Sequence, residues 1–221
     1  MNMRLLLLTF TTLALAASAR GAGIGWGNSP FDPVPMVDNY GNALDDTYVF
    51  ELGTFGSFVP TSSNTELWAV NWKLLSVAAA PNDWFPEIPS FGQNLTFNTN
   101  GTVQGLPGSA TFTAGEQAYL WVHSGDQWAL VTDTSPSNLA DDEWVIPNPN
   151  DGSPDSQVTW VLDNADVVIV GGVNGIQSGT PFSYDPGSNF RLQTAVIPEP
   201  GSSLLVLLAG CLARFHRFRR R

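Results

Sequence analysis

Short runs of β-branched and aromatic residues, cut at close intervals by Gly, Pro and Asn, dominate this chain from residue 94 onward and leave little room for anything but a β architecture. Residues 95–97, 110–113, 119–123, 143–146, 158–162, 167–170 and 190–196 each read as a strand. An earlier run, TYVFEL at 47–52, reads the same way, with Gly53 and Gly56 as breakers. Residues 117–123 and 127–133 flank Ser124-Gly125-Asp126, a three-residue loop with glycine, which predicts a hairpin. Many short strands with turn residues between them predict a mainly β body, a β-sandwich or jelly-roll-like fold.

One stretch departs from this pattern. Ser63 and Glu66 have the spacing of a capping box. After them Leu67, Trp68, Asn71, Trp72, Leu75 and Ala79 recur at three- and four-residue steps, which predicts one short amphipathic helix ending before Pro81. A strand with one apolar face competes, because Trp and Val suit sheets too. Residues 21–44 are rich in Gly, Pro and Asn around Trp26 and Phe31 and read as an irregular lead-in. Gly171-Gly172 lacks the third glycine and the helix that a nucleotide loop needs.

The 221 residues suffice for one domain with removable ends. Met1 to Ala19 has a single arginine (Arg4), an apolar run from Leu5 to Ala16, and small residues at Ala17 and Ala19. That is a signal peptide with its signal-peptidase site after Ala19. A retained N-terminal anchor is the alternative, but the run is short for one. Between Gly21 and Ala213 only Lys73 and Arg191 are basic, against twenty acidic residues, a formal charge of −18. Such a body repels nucleic acid and anionic lipid. Residues 20–195 contain no cysteine, so an apolar core alone must hold that domain.

The other end begins with Pro198-Glu199-Pro200, which neither helix nor sheet ladder accommodates, so it is extended and open to an enzyme. An uncharged run, residues 202–213, would rise about 18 Å as a helix, less than the hydrocarbon core. Arg214, Arg217, Arg219, Arg220 and Arg221 follow, with Phe215 and Phe218 between them. Snorkelling arginines lengthen the span and hold that end in the cytoplasm. A docked C-terminal helix or a basic arm would use the same residues. Leu208-Ala209-Gly210-Cys211 spells a lipobox-like string, but a lipobox acts at an N-terminal signal peptide, so Cys211 reads as a small membrane residue.

Triplet, short apolar run and arginine cluster, in that order, resemble the PEP-CTERM sorting signal of Gram-negative bacteria. The resemblance covers residues 196–221 and implies the organisation 1–19 signal peptide, 20–195 acidic exported domain, and 196–221 sorting signal with a short transmembrane helix. It implies recognition by an exosortase-type transpeptidase after signal peptidase has acted. It also implies an inner-membrane-anchored precursor, then delivery to the cell surface or extracellular matrix. It implies nothing about the chemistry of the body.

Catalytic sets are scarce. His123 is the one histidine outside the tail, so a Cys-His dyad and a multi-histidine metal site are excluded for the body. No Gly-x-Ser-x-Gly elbow accompanies His123. A glycosidase needs two carboxylates, and Glu51, Glu66, Glu87, Glu116 and Glu143 are available, yet no spacing singles out a pair. Residues 148–155 (NPNDGSPD) partly resemble a calcium loop but lack its bidentate glutamate. A solvated turn is the simpler reading, no cofactor is expected, and calcium alone stays open. Asp45-Asp46 and Asp141-Asp142 are equally ambiguous. Eight tryptophans suit either a core or sugar stacking. Trp121 and Trp128 are expected to pack across the hairpin. Trp84, in a proline-flanked loop, is expected to be exposed and to contact sugar. The expectation is a non-enzymatic exported structural protein of the cell envelope or matrix. The alternatives are a module binding matrix polysaccharide or, behind it, a carboxylate glycosidase.

Overall fold

A computed structural model describes residues 21–28, 34–135, 143–151, 157–179 and 181–197. The expected signal peptide and sorting signal fall almost wholly outside them. The described body is mainly β with one short helix. Its strands are β1 (Gly23–Gly27), β2 (Met36–Val37), β3 (Val49–Thr54), β4 (Lys73–Ala79), β5 (Trp84–Phe85), β6 (Ser90–Thr96) and β7 (Ala118–Ser124). They continue with β8 (Gln127–Thr132), β9 (Gln157–Val161), β10 (Val167–Val173), β11 (Ile176–Ser178), β12 (Leu192–Gln193) and β13 (Ala195–Val196). The helix, α1 (Trp68–Asn71), is a single turn that continues a 3-10 turn at Thr65–Leu67.

Two sheets form. The smaller runs β5-β6-β1-β9, and the larger runs β2-β12-β10-β8-β7-β3-β4, with β11 and β13 added on β10 and β8. Alternation decides which side chains meet between them. Phe50 and Leu52 on β3, Leu120 and Val122 on β7, and Ala129 and Val131 on β8 share one buried cluster with Ile24 and Trp26 on β1, Phe91 and Leu95 on β6, and Trp160 on β9. The stacked rings of Phe50 and Phe91, 4.2 Å between centroids, join one sheet to the other. The opposite face of the large sheet carries a second cluster. There α1 and the segment before it lay Trp68, Phe55 and Trp72 over Trp121, Leu130, Val170 and Ile197.

Several expectations change. The helix predicted over residues 67–80 is mostly strand, since only Trp68–Asn71 is helical and β4 follows at once. The pairing of β4 with β3 shifts register between Leu52 and Gly53, opposite Leu75. This extra residue puts the buried Leu75 and Ala78 three apart, a spacing that mimics a helix face. The capping box does not form. The 3-10 turn begins at Asn64, whose carboxamide oxygen instead accepts from Thr61 N and from Trp68 Nε1.

Part of the expected irregular lead-in is β1, which pairs antiparallel with β6 and parallel with β9. Its glycines recur every second residue, and a Cβ at Gly23 or Gly25 would meet Gln157 Oε1 or Asn94 Oδ1 of the flanking strands. Glycine here permits close neighbours rather than breaking a strand. Residues 110–113 form no strand, and of 143–146 only Val145 bridges, to Gln117. The β7–β8 hairpin forms, but Ser124 pairs with Gln127, so its loop is the two residues Gly125 and Asp126, with Gly125 at φ +57°. Sequence reading passed over the β10–β11 hairpin. Its turn is Asn174-Gly175, both at positive φ, the signature of a type I′ turn. The packed body also runs through Ile197, two residues past the boundary drawn at 195.

Candidate functional site

A concavity among the described residues lies between two loops at the open end of β4. One wall is residues 43–46. The other is the chain from Ala80 through β5 to Ile88. Between them is a cleft of ≈ 850 Å³, lined by Leu44, Asp45, Asp46, Phe85, Glu87 and Ile88 among others. That size suits a small ligand or one stretch of a polymer.

Trp84 builds the cleft rather than presenting itself to solvent. Its ring is 1% exposed and lies 4.7 Å from the ring of Phe50. Its Nε1 donates to the Asp45 carbonyl at 2.8 Å, tying the two walls together. The expectation of an exposed, sugar-contacting Trp84 is therefore corrected. An indole with this much apolar surface gains more from the core, provided its N–H finds an acceptor. Alternation along β5 then turns the next side chain outward. Phe85 is 45% exposed, whereas every other described Phe and Trp is buried or half-buried. Sequence reasoning missed it, although its place beside an anchoring tryptophan on an extended pair was the available signal.

The acidic wall is held as firmly. Thr47 donates its N–H at 3.0 Å and its hydroxyl at 2.6 Å to Asp45 Oδ1. The hydroxyl, then the backbone N–H, of Thr47 hold the Asp45 carboxyl below its usual range, so it stays ionised. Across the cleft, Ile88 N donates to the Phe85 carbonyl and Gly92 N to the Asp83 carbonyl. The cleft thus offers apolar surface from Phe85 and Ile88 beside the acceptor oxygens of Asp45, Asp46 and Glu87.

The remaining expected residues are scattered. Trp121 and Trp128 pack edge to face at 5.2 Å, as expected from their hairpin. His123 and Glu51 lie on adjacent strands with Nε2 and Oε1 3.5 Å apart. Glu116 is held by Thr54 Oγ1, by Thr113 N–H and hydroxyl, and by Lys73 Nζ at 3.2 Å from both carboxylate oxygens. Glu66 lies in the turn before α1, Glu143 lies just before the Val145 bridge, and Glu87 lines the cleft. Asn148 caps its own turn by accepting from Asn150 N, but residues 152–155 of the calcium-like stretch and Asp141-Asp142 lie outside the described residues. Among the described residues no three His, Cys, Asp or Glu side chains converge on a metal position, and no helix is long and apolar enough to cross a membrane. Ala17, Ala19, Pro198, Glu199, Pro200, Arg214, Arg217, Arg219, Arg220 and Arg221 also lie outside them.

Both basic residues of the body are engaged. Lys73 pairs with Glu116. Arg191 places Nη1 2.6 Å from Asn174 Oδ1 and Nε 3.4 Å from Asp163 Oδ1. No family model, curated protein or solved structure matches the chain.

Proposed function

We propose that this chain is an exported, non-catalytic structural protein of a Gram-negative cell envelope or matrix, with a β-sandwich body delivered by an exosortase-type enzyme acting on its tail. The observation that carries the reading is the tail itself, Pro198-Glu199-Pro200 followed by the uncharged residues 202–213 and five arginines, joined in sequence to a strand of the packed body. β13 closes against β8, and Ile197, 4% exposed, donates its N–H to the Asp126 carbonyl at 2.8 Å. The Pro-Glu-Pro triplet begins at the next residue. A sorting enzyme must thread an unpaired segment, and the two prolines of the motif cannot donate to a ladder. The acidic body and the ion pairing of Glu116 with Lys73 support a matrix role over a carboxylate pair poised for hydrolysis.

The test is processing in a host with an exosortase-type enzyme. Wild-type protein recovered from the surface or medium is expected, by mass spectrometry, to lack its terminal arginines. Glu199→Ala is expected to leave full-length precursor in the inner membrane. Mature protein still ending at Arg221, or unchanged processing of the variant, would overturn the sorting reading. Hydrolysis of any polysaccharide that a single Glu→Gln change abolishes would overturn the non-catalytic one.

A further inference from the structure

We infer that the cleft between residues 43–46 and 80–88 binds an uncharged polysaccharide, with the Phe85 ring as its platform and Asp45, Asp46 and Glu87 as acceptors of sugar hydroxyls. The inference names a ligand class and a site. It stands on the cleft and not on the tail, so sorting and binding fail or succeed separately.

Three observations point the same way. The first is the exposed ring. Phe85, Tyr40 and Tyr184 are the exposed aromatic side chains among the described residues, and of the three Phe85 lines the cleft, with Ile88 beside it 63% exposed. Its position is imposed by Trp84, which fills the core and ties its N–H to the Asp45 carbonyl. A sugar ring presents an apolar C–H face that an aromatic face covers, while its rim carries hydroxyl donors. The second is the polar complement. The side chains lining the cleft offer carboxylate acceptors beside the ring and no cation. Hydroxyl donors match acceptors of this kind. The third is charge. Lys73 and Arg191, the only basic residues between 21 and 213, are both in ion pairs, neither in the cleft. A polyanion such as a uronate polymer or a phosphorylated glycan would meet Asp45, Asp46 and Glu87 with nothing to offset the repulsion. A basic peptide would satisfy the carboxylates but would leave the ring and Ile88 without a planar apolar partner. The walls are also fixed before any ligand arrives, by the Trp84, Thr47 and Ile88 hydrogen bonds, which lowers the ordering cost of binding.

The experiment uses the full-length chain in a detergent without a sugar headgroup, with affinity electrophoresis in gels containing hydroxyethylcellulose, galactomannan or alginate. Retardation is expected in at least one uncharged polymer and not in alginate. Phe85→Ala should weaken that retardation at least tenfold, and Phe85→Trp should retain it. Asp46→Asn with Glu87→Gln should weaken it severalfold. Near-UV circular dichroism shows whether each variant keeps the packed tryptophans, and Phe85→Trp reports on the platform if Phe85→Ala loses them. The inference is overturned by no retardation in either uncharged polymer, by equal retardation of folded Phe85→Ala, or by retardation in alginate alone. Binding of oligolysine that removes no polysaccharide retardation leaves the sugar site standing. Binding of oligolysine with no polysaccharide retardation overturns it.

Discussion

Glu116 shows how one side chain in this body gathers several elements. It joins β3 through Thr54, β4 through Lys73, and the loop before β7 through Thr113. Burial acts against its ionisation, but the hydrogen bonds from Thr113, Thr54 and Lys73 outweigh it and hold the carboxyl below its ordinary value of 4.5. A folded-state pKa below the unfolded one adds stability above the unfolded value, and that share is lost as pH falls through the folded value. Glu116→Gln should therefore lower stability at pH 7 by about 1–2 kcal/mol, discounted for the partly exposed lysine. Urea midpoints should also show a smaller drop between pH 6 and pH 3 for the variant than for wild type. An equal acid drop in both would remove Glu116 from the account. The tryptophans teach a related lesson. Composition counts eight rings but does not say which way each faces, and Trp84 faces inward because Asp45 supplies an acceptor 39 residues away.

At the level of elements, β10 is the crowded strand. It pairs with β8, β11 and β12, and its register against β8 shifts between Val168 and Val170. Gly171 follows that shift at φ +87°, where an added Cβ would lie 2.5 Å from the Gln193 carbonyl oxygen and 2.9 Å from Ala129 Cβ. Both the left-handed backbone and the contact demand glycine. Gly171→Ala should cost about 3 kcal/mol or more, read as a lower urea midpoint with an unchanged slope. A midpoint matching wild type would show that the strand can relax around a methyl group. The pair Gly171-Gly172, which resembles part of a loop motif in sequence, thus has a packing explanation. The segment 67–80 makes the complementary point. Its helical periodicity is the trace of a bulge, and hydrogen bonding to β3 overrides a local pattern only a dozen residues long. The Asn174-Gly175 turn was passed over in the sequence although two residues signal it, because few dipeptides accept two positive φ angles in succession.

At the scale of the whole molecule, β13, the last strand among the described residues, packs onto the core. Ala195 is fully buried, and Ile197 packs in the cluster with Trp68, Trp121 and Val170. A chain ending at Ile197 should keep the urea midpoint of the full-length protein. One ending at Thr194 loses β13 and Ile197 and should lose about 3 kcal/mol or more from apolar burial alone. Equal stability of the two truncations would place the end of the body earlier than Ile197. Charge also belongs to this scale. With both body cations in ion pairs, the long-range field of the described domain is negative, and repulsion of anionic surfaces should weaken as salt is added.

Sequence alone determined that the body is mainly β, that it is strongly acidic and free of cysteine, and that Trp121 and Trp128 meet across a hairpin. Composition, alternation and turn residues act over a few neighbours, and these properties need no more than that. Tertiary structure decided that glycine-rich β1 is central to a sheet, that residues 73–79 are extended, and that Phe85 rather than Trp84 is the exposed ring at the cleft. Each of those outcomes depends on a partner far along the chain. Hydrogen-bond pairing and burial with distant residues outweigh the local preference there, and no window of neighbouring residues contains that partner.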